Sequence, residues 1–206
     1  MFDDIYIALI AGFLIAMCGQ ILRMATIGLV YIIRGGKNRQ IYAEGLVTEG
    51  LFSHCRNPLY VGNILILSGL GIMSNSILFI LIMIPIFIFF YQAIVLAEEN
   101  FLRGKFGPSY DKYATSTNRW IPDLKGLKTT LSSMTFNWRR VVIKEYTTTY
   151  IWLTGAVLLV IKVLYQLHGM DAVKNLLTLF ISTLLLLLTC YFYIRYMKKS
   201  RRLIAD

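Results

Sequence analysis

Two short stretches hold most of the residues able to do chemistry. The first is Gly50-Leu51-Phe52-Ser53-His54-Cys55-Arg56-Asn57-Pro58-Leu59-Tyr60-Val61-Gly62, which sets Arg, Asn and Tyr around a proline at the threshold of a long apolar run. The second, Glu98-Glu99-Asn100-Phe101-Leu102-Arg103, lies where the next apolar run ends. A carboxylate there can take a proton from an amine or hydroxyl, or accept hydrogen bonds from a cationic ligand. On their own, Glu98 and Glu99 equally suit a solvated helix end satisfied by Arg103 and Lys105. Cys55 would be a nucleophile only with a histidine placed beside it by the fold, and His54 is adjacent merely in sequence. Cys18, Cys55 and Cys190 form no CxxC pair, so neither a zinc site nor a disulfide framework is expected. Cys18 and Cys190 read as core residues at lipid depth.

The elements that must position these residues are membrane helices. Of 206 residues, 57% are hydrophobic and only 16% charged, against about 25% charged in soluble domains; the mean hydropathy is +0.62. Apolar runs cover Ile5 to Leu22, Tyr60 to Met73, Ile77 to Ala97, Tyr150 to Leu167 and Leu176 to Tyr196. A span needs roughly 20 such residues, so the second run must tilt or pack against protein. The expectation is an all-α, multi-pass transmembrane bundle of about five membrane helices. Asp3 and Asp4 stand where a signal peptide would be positive, so the first run is expected to remain as a helix.

The net charge of +10 is distributed by side. Arg34, Lys37, Arg39 and Arg56 fall in one connection, the residues from Arg103 to Lys144 in another, and Lys198, Lys199, Arg201 and Arg202 at the C-terminus. The short opposite turns hold almost none. By the positive-inside rule the N-terminus is outside and the basic loops and C-terminus are cytoplasmic. The charge then reads as topology and as contact with anionic lipid headgroups, and not as nucleic-acid binding. Gly35-Gly36 belongs to neither phosphate-binding glycine motif.

Pro58 suits the first turn of a helix, where its missing N–H is not needed. Ser74-Asn75-Ser76 is a tight turn, so the helices on either side are antiparallel neighbours, with Pro85 kinking the second. That geometry brings Tyr60 near Glu98 and Glu99. Gly12 and Gly19 allow another helix to approach the first closely, and Arg23 must either snorkel or line a polar cavity. The stretch from Asp123 to Glu145, basic and bearing Trp138, reads as a connector lying on the membrane surface. The chain thus divides into a core at 1–122, a basic connector at 123–149 and a C-terminal pair of helices at 150–206.

With both stretches in view, the chain resembles the isoprenylcysteine carboxyl methyltransferase and phospholipid methyltransferase family of integral-membrane enzymes. The likeness is carried by Gly45-Leu46-Val47-Thr48-Glu49-Gly50-Leu51-Phe52 with Arg56-Asn57-Pro58-Leu59-Tyr60-Val61-Gly62. It continues through Glu98-Glu99, Leu102, Phe106-Gly107, Tyr110, Tyr113 and Arg119-Trp120-Ile121-Pro122. The resemblance implies a cytoplasmic site for S-adenosyl-L-methionine contacted by Leu46, Val47, Phe52, Asn57, Pro58, Leu59, Tyr60 and Glu98. It also implies a lipophilic methyl acceptor drawn from the bilayer, a carboxylate, thiol or amine. Glu98, Glu99 and Arg119 are the candidate catalytic residues, and no metal site is expected. Ile94 stands one turn before Glu98, where carboxyl methyltransferases of this kind carry an arginine for the substrate carboxylate. Unless Arg23, Arg103 or Arg119 replaces it, a different acceptor is implied. The competing readings are an NADPH-dependent membrane reductase of the sterol reductase type and a non-catalytic membrane protein with the same fold.

Overall fold

The computed structural model describes residues 4–30 and 45–204; the basic loop with Gly35-Gly36 lies outside the described residues. The described chain is helical, without strands. Its helices are α1 (Ile5–Leu29), α2 (Pro58–Met73), α3 (Ile84–Phe106), α4 (Pro108–Ser116), α5 (Leu127–Ser133), α6 (Trp138–Asn175) and α7 (Leu177–Lys199). A 3-10 turn at Gly50–Ser53 precedes α2, and a π-helical turn at Phe79–Met83 leads into α3. Four helical stretches are long and apolar enough to cross a membrane, namely Ile5–Leu29, Phe79–Phe106, Trp138–Asn175 and Leu177–Lys199. The chain is an integral-membrane helical bundle, with α2 as a fifth, shorter apolar helix.

The shortness of α2 is resolved by packing. Its 16 residues rise about 24 Å at 1.5 Å each, short of a full hydrocarbon core, and it lies tightly against α1. A Cβ on Gly19 would sit 2.6 Å from the Gly62 carbonyl oxygen, and one on Gly12 would collide with the Gly69 carbonyl oxygen. Association inside a bilayer gains little from the hydrophobic effect, so this backbone-to-backbone approach supplies the dispersion contact instead. Ala16, Ile66, Met73, Trp152 and Ala156 then form a buried cluster that seats α6 on the α1–α2 pair. Helix α7 docks on α6 by its aromatic face, Tyr191 lying 5.3 Å from Tyr146 and 4.8 Å from Tyr150 between ring centroids. The outward Leu185, Leu186 and Leu188 are exposed.

Two expectations are revised, and a third gains detail. Cys18 and Cys190 are exposed on outward faces, because the buried stripe of α1 runs through Gly12, Ala16, Gly19 and Arg23 and α7 buries only Phe180 among its described residues. The connector reaches only to Asn137, whose side chain accepts the Arg140 N–H at 2.9 Å and starts α6. Residues 138–149 are therefore the opening turns of a membrane helix, with Val141, Ile143 and Glu145 buried. Finally, Pro85 is accompanied by the wide π turn just before it, which accommodates a ring that would clash with an α-helical carbonyl and an N that cannot donate.

Candidate functional site

The polar stretch before α2 folds into a brace. Arg56 N–H donates to Asn118 O at 2.8 Å and Asp123 N–H to His54 O at 2.9 Å, so residues 54–57 and 118–123 run side by side. The Asn57 side chain donates to Arg119 O at 3.1 Å, and the Cys55 thiol points at Arg119 O and Trp120 O. His54 bridges Asp123 O at 2.6 Å and Thr130 Oγ1 at 2.9 Å. The carbonyl can only accept, so Nδ1 carries the proton and Nε2 takes the threonine hydroxyl. His54 thus has structural partners on both nitrogens. Burial pushes the Cys55 thiol above its ordinary range, which favours the protonated, inert form over a nucleophile.

Beyond the brace, Pro58 opens α2 and Tyr60 sits on its first turn. The Tyr60 hydroxyl donates to Glu98 Oε1 at 2.8 Å, and the ring lies 5.4 Å from that of Tyr91. Here the hairpin does what the short turn demands, since the start of α2 and the end of α3 meet at one end of the pair. Glu99 points elsewhere. It receives Arg119 through Nε and Nη2 at 3.0 and 2.8 Å and Arg56 Nη1 at 3.2 Å. With both oxygens held by guanidinium groups, Glu99 and Arg119 tie α3 to the brace, and only Glu98 offers an oxygen beyond its Tyr60 bond. Phe52 is half-buried, its carbonyl accepting the Tyr113 hydroxyl at 2.7 Å. Trp120 Nε1 donates to Gln92 Oε1 at 3.0 Å. Val47 packs on Leu29, Val30 and Leu51, with Leu46 half-buried beside it. The structure therefore joins Asn57 with Arg119, and Tyr60 with Glu98. Val47 belongs to this apolar cluster, apart from the Tyr60–Glu98 pair, and Leu46 precedes it in the chain. A cavity of about 580 Å³ opens by that cluster, at Leu29, Val30, Glu49 and Trp138, and shares no lining residue with the Tyr60–Glu98 pair.

A family model for phospholipid methyltransferases matches residues 7–109, half of the chain, covering both stretches that meet at this point. The chain belongs to this family. Two curated relatives are similar over 104 residues: the nickel-cobalt-cadmium resistance protein NccN of Alcaligenes xylosoxydans xylosoxydans at 38% identity and the cobalt-zinc-cadmium resistance protein CzcN of Cupriavidus metallidurans at 36%. The alignments cover 49% of this chain and 46% and 45% of those proteins, so the chain spans about half the length of the curated relatives it matches. No solved structure matches it.

The phospholipid methyltransferase match ends before Arg119 and before α6, yet the bundle ties both parts together at depth. Arg23 on α1 is 1% exposed and Glu145 on α6 is 2%. Arg23 Nε and Nη2 donate to the two carboxylate oxygens at 2.8 and 2.7 Å. Arg23 neither snorkels to the surface nor stands open in a cavity, being paired and fully buried. Its partner is 122 residues away, in a segment whose lysines and arginines masked it as a surface connector. The three arginines that could stand in for one at position 94 are all engaged, Arg23 by Glu145, Arg103 by Asp111 at 2.8 Å and Arg119 by Glu99. Ile94 itself is exposed on the outer face of α3.

Proposed function

We propose that this chain is an S-adenosyl-L-methionine-dependent methyltransferase acting on a lipophilic acceptor that partitions into the membrane. The observation that carries the reading is the Tyr60–Glu98 hydrogen bond, which closes the α2–α3 hairpin at one end. The residues fit the cofactor. Glu98 keeps one oxygen for an ammonium or ribose hydroxyl, and Tyr60, Tyr91 and Phe52 supply aromatic faces for a sulfonium cation and an adenine. The turn at Asn57-Pro58-Leu59 begins a helix whose first N–H groups suit a carboxylate. S-Adenosyl-L-methionine, when bound, supplies an electrophilic methyl group for direct displacement.

The chain's own residues have modest work to do. They hold donor and acceptor in line and keep water out. Tyr60 orients Glu98, and for an amine or hydroxyl acceptor Glu98 takes the proton. Glu99 and Arg119 hold the brace against α3. With no free arginine near Ile94, the acceptor is better read as lacking a carboxylate. An exposed apolar residue beside Glu98 suits an acceptor arriving sideways from the bilayer. The orientation with the N-terminus outside and the C-terminus cytoplasmic is supported by Lys198 and Lys199 in the last turn of α7. The basic loops then face anionic headgroups of a bacterial inner membrane. The metal-resistance names of the relatives would, for this chain, refer to a downstream effect of methylating a membrane component.

The test is calorimetry on the purified protein in nanodiscs. S-Adenosylhomocysteine should bind saturably, with Glu98→Ala weakening binding at least about tenfold, or about 1.4 kcal/mol, and Tyr60→Phe weakening it less. Binding of NADPH with no heat from either adenosyl ligand would establish the reductase reading instead.

A further inference from the structure

We infer that Arg23 and Glu145 are positioning residues for the proposed site, on whose reading this inference rests: their buried ion pair sets the first turn of α2 and thereby the aim of Tyr60. The two charges are among the most deeply buried side chains in the molecule. Stability alone does not account for them, since a well-packed apolar pair in the same space is often equal or better. The geometry does account for them. While Nε and Nη2 engage Glu145, Arg23 Nη1 turns the other way and donates to Leu59 O at 3.2 Å and to Asn63 Oδ1. Leu59 and Asn63 are four residues apart, one turn of α2, and Tyr60 follows the first of them. From α3, Tyr91 packs its ring against that of Tyr60, 5.4 Å away between centroids. Arg23 therefore acts on Tyr60 through α2 itself, gripping the carbonyl of the residue just before it and the side chain one turn on.

The far side of the pair is equally fixed. Gln20 donates to Glu145 Oε2 at 3.3 Å, and Trp152 Nε1 donates to Gln20 Oε1 at 2.9 Å. Arg23 Nη2 also lies 3.4 Å from Thr148 Oγ1. Helices α1, α2 and α6 thus meet in one polar cluster at the first turn of α2, where Tyr60 lies. A guanidinium is a planar fork, so it holds these angles in a way a lysine ammonium does not. The C-terminal half of the chain, beyond the family match, reaches the site by this contact.

The experiment pairs hydrogen exchange with S-adenosylhomocysteine calorimetry on the full chain in nanodiscs, for wild type, Arg23→Lys, Glu145→Gln and the apolar double variant Arg23→Met/Glu145→Leu. The expected result for the double variant is amide exchange at residues 57–63 about tenfold faster with α7 unchanged, and binding weakened to a similar degree. Arg23→Lys and Glu145→Gln, which disturb the packing least, should move the same amides by less. Wild-type exchange at 57–63 in all three variants would overturn the inference. So would faster exchange spread evenly over every helix, which marks a purely structural pair. If wild type fails to bind S-adenosylhomocysteine while the local exchange effect is present, the cofactor reading falls and the positioning of α2 stands.

Discussion

Glu98 and Glu99 are consecutive, yet they point about 100° apart around α3 and meet different chemistry. Tyr60 takes one oxygen of Glu98, while Glu99 is gripped by Arg119 and Arg56 and is only 5% exposed. Removing Glu99 strands two guanidinium groups, so Glu99→Ala should lower unfolding stability by about 3 kcal/mol, whereas Glu98→Ala loses one hydrogen bond and about 1 kcal/mol. Thermal unfolding in detergent measures both. Cys55 and Tyr113 are both pushed up by burial, the tyrosine also by the Cys55 beside it. The folded chain then holds these protons more tightly than the unfolded one, so their contribution is intact below the ordinary thiol value and is lost as pH rises. The melting temperature should fall above about pH 9, and Cys55→Ala should delay that fall toward the ordinary tyrosine value near 10.

The α1–α2 pair shows how an element too short to span alone is held in place. Gly12 and Gly69 face one another, as do Gly19 and Gly62, with no room for a Cβ. Gly69→Ala is expected to destabilise by about 1–3 kcal/mol through overpacking. Gly104, on α3, has nothing within 4 Å of its would-be Cβ, so Gly104→Ala should stabilise by about 0.5–1 kcal/mol as helix propensity alone dictates. Opposite signs for the same substitution, read from unfolding midpoints, would separate packing from propensity. Gly12 and Gly19 announced a close approach in the sequence. Their partner on α2 became known only from the register of the two helices.

Across the whole molecule, α7 touches the site least and α6 most among the C-terminal elements. A chain ending at residue 175 keeps Glu145, Trp152 and the α1–α6 cluster, so it should still bind S-adenosylhomocysteine within about threefold of wild type with a lower melting temperature. A chain ending at residue 137 leaves Arg23 without its carboxylate and should not fold; size exclusion in detergent distinguishes the two. Local composition and spacing were enough to determine the membrane helices, the hairpin at Ser74-Asn75-Ser76 and the approach of Tyr60 to Glu98, because apolar length and a short turn constrain neighbours directly. They were not enough to separate Glu98 from Glu99, to find Asn118–Asp123 alongside His54–Asn57, or to match Arg23 with Glu145. A buried charge takes whichever opposite charge the packed helices bring to it, and that choice is made in three dimensions, across 122 residues of chain, by the way α6 lies on α1.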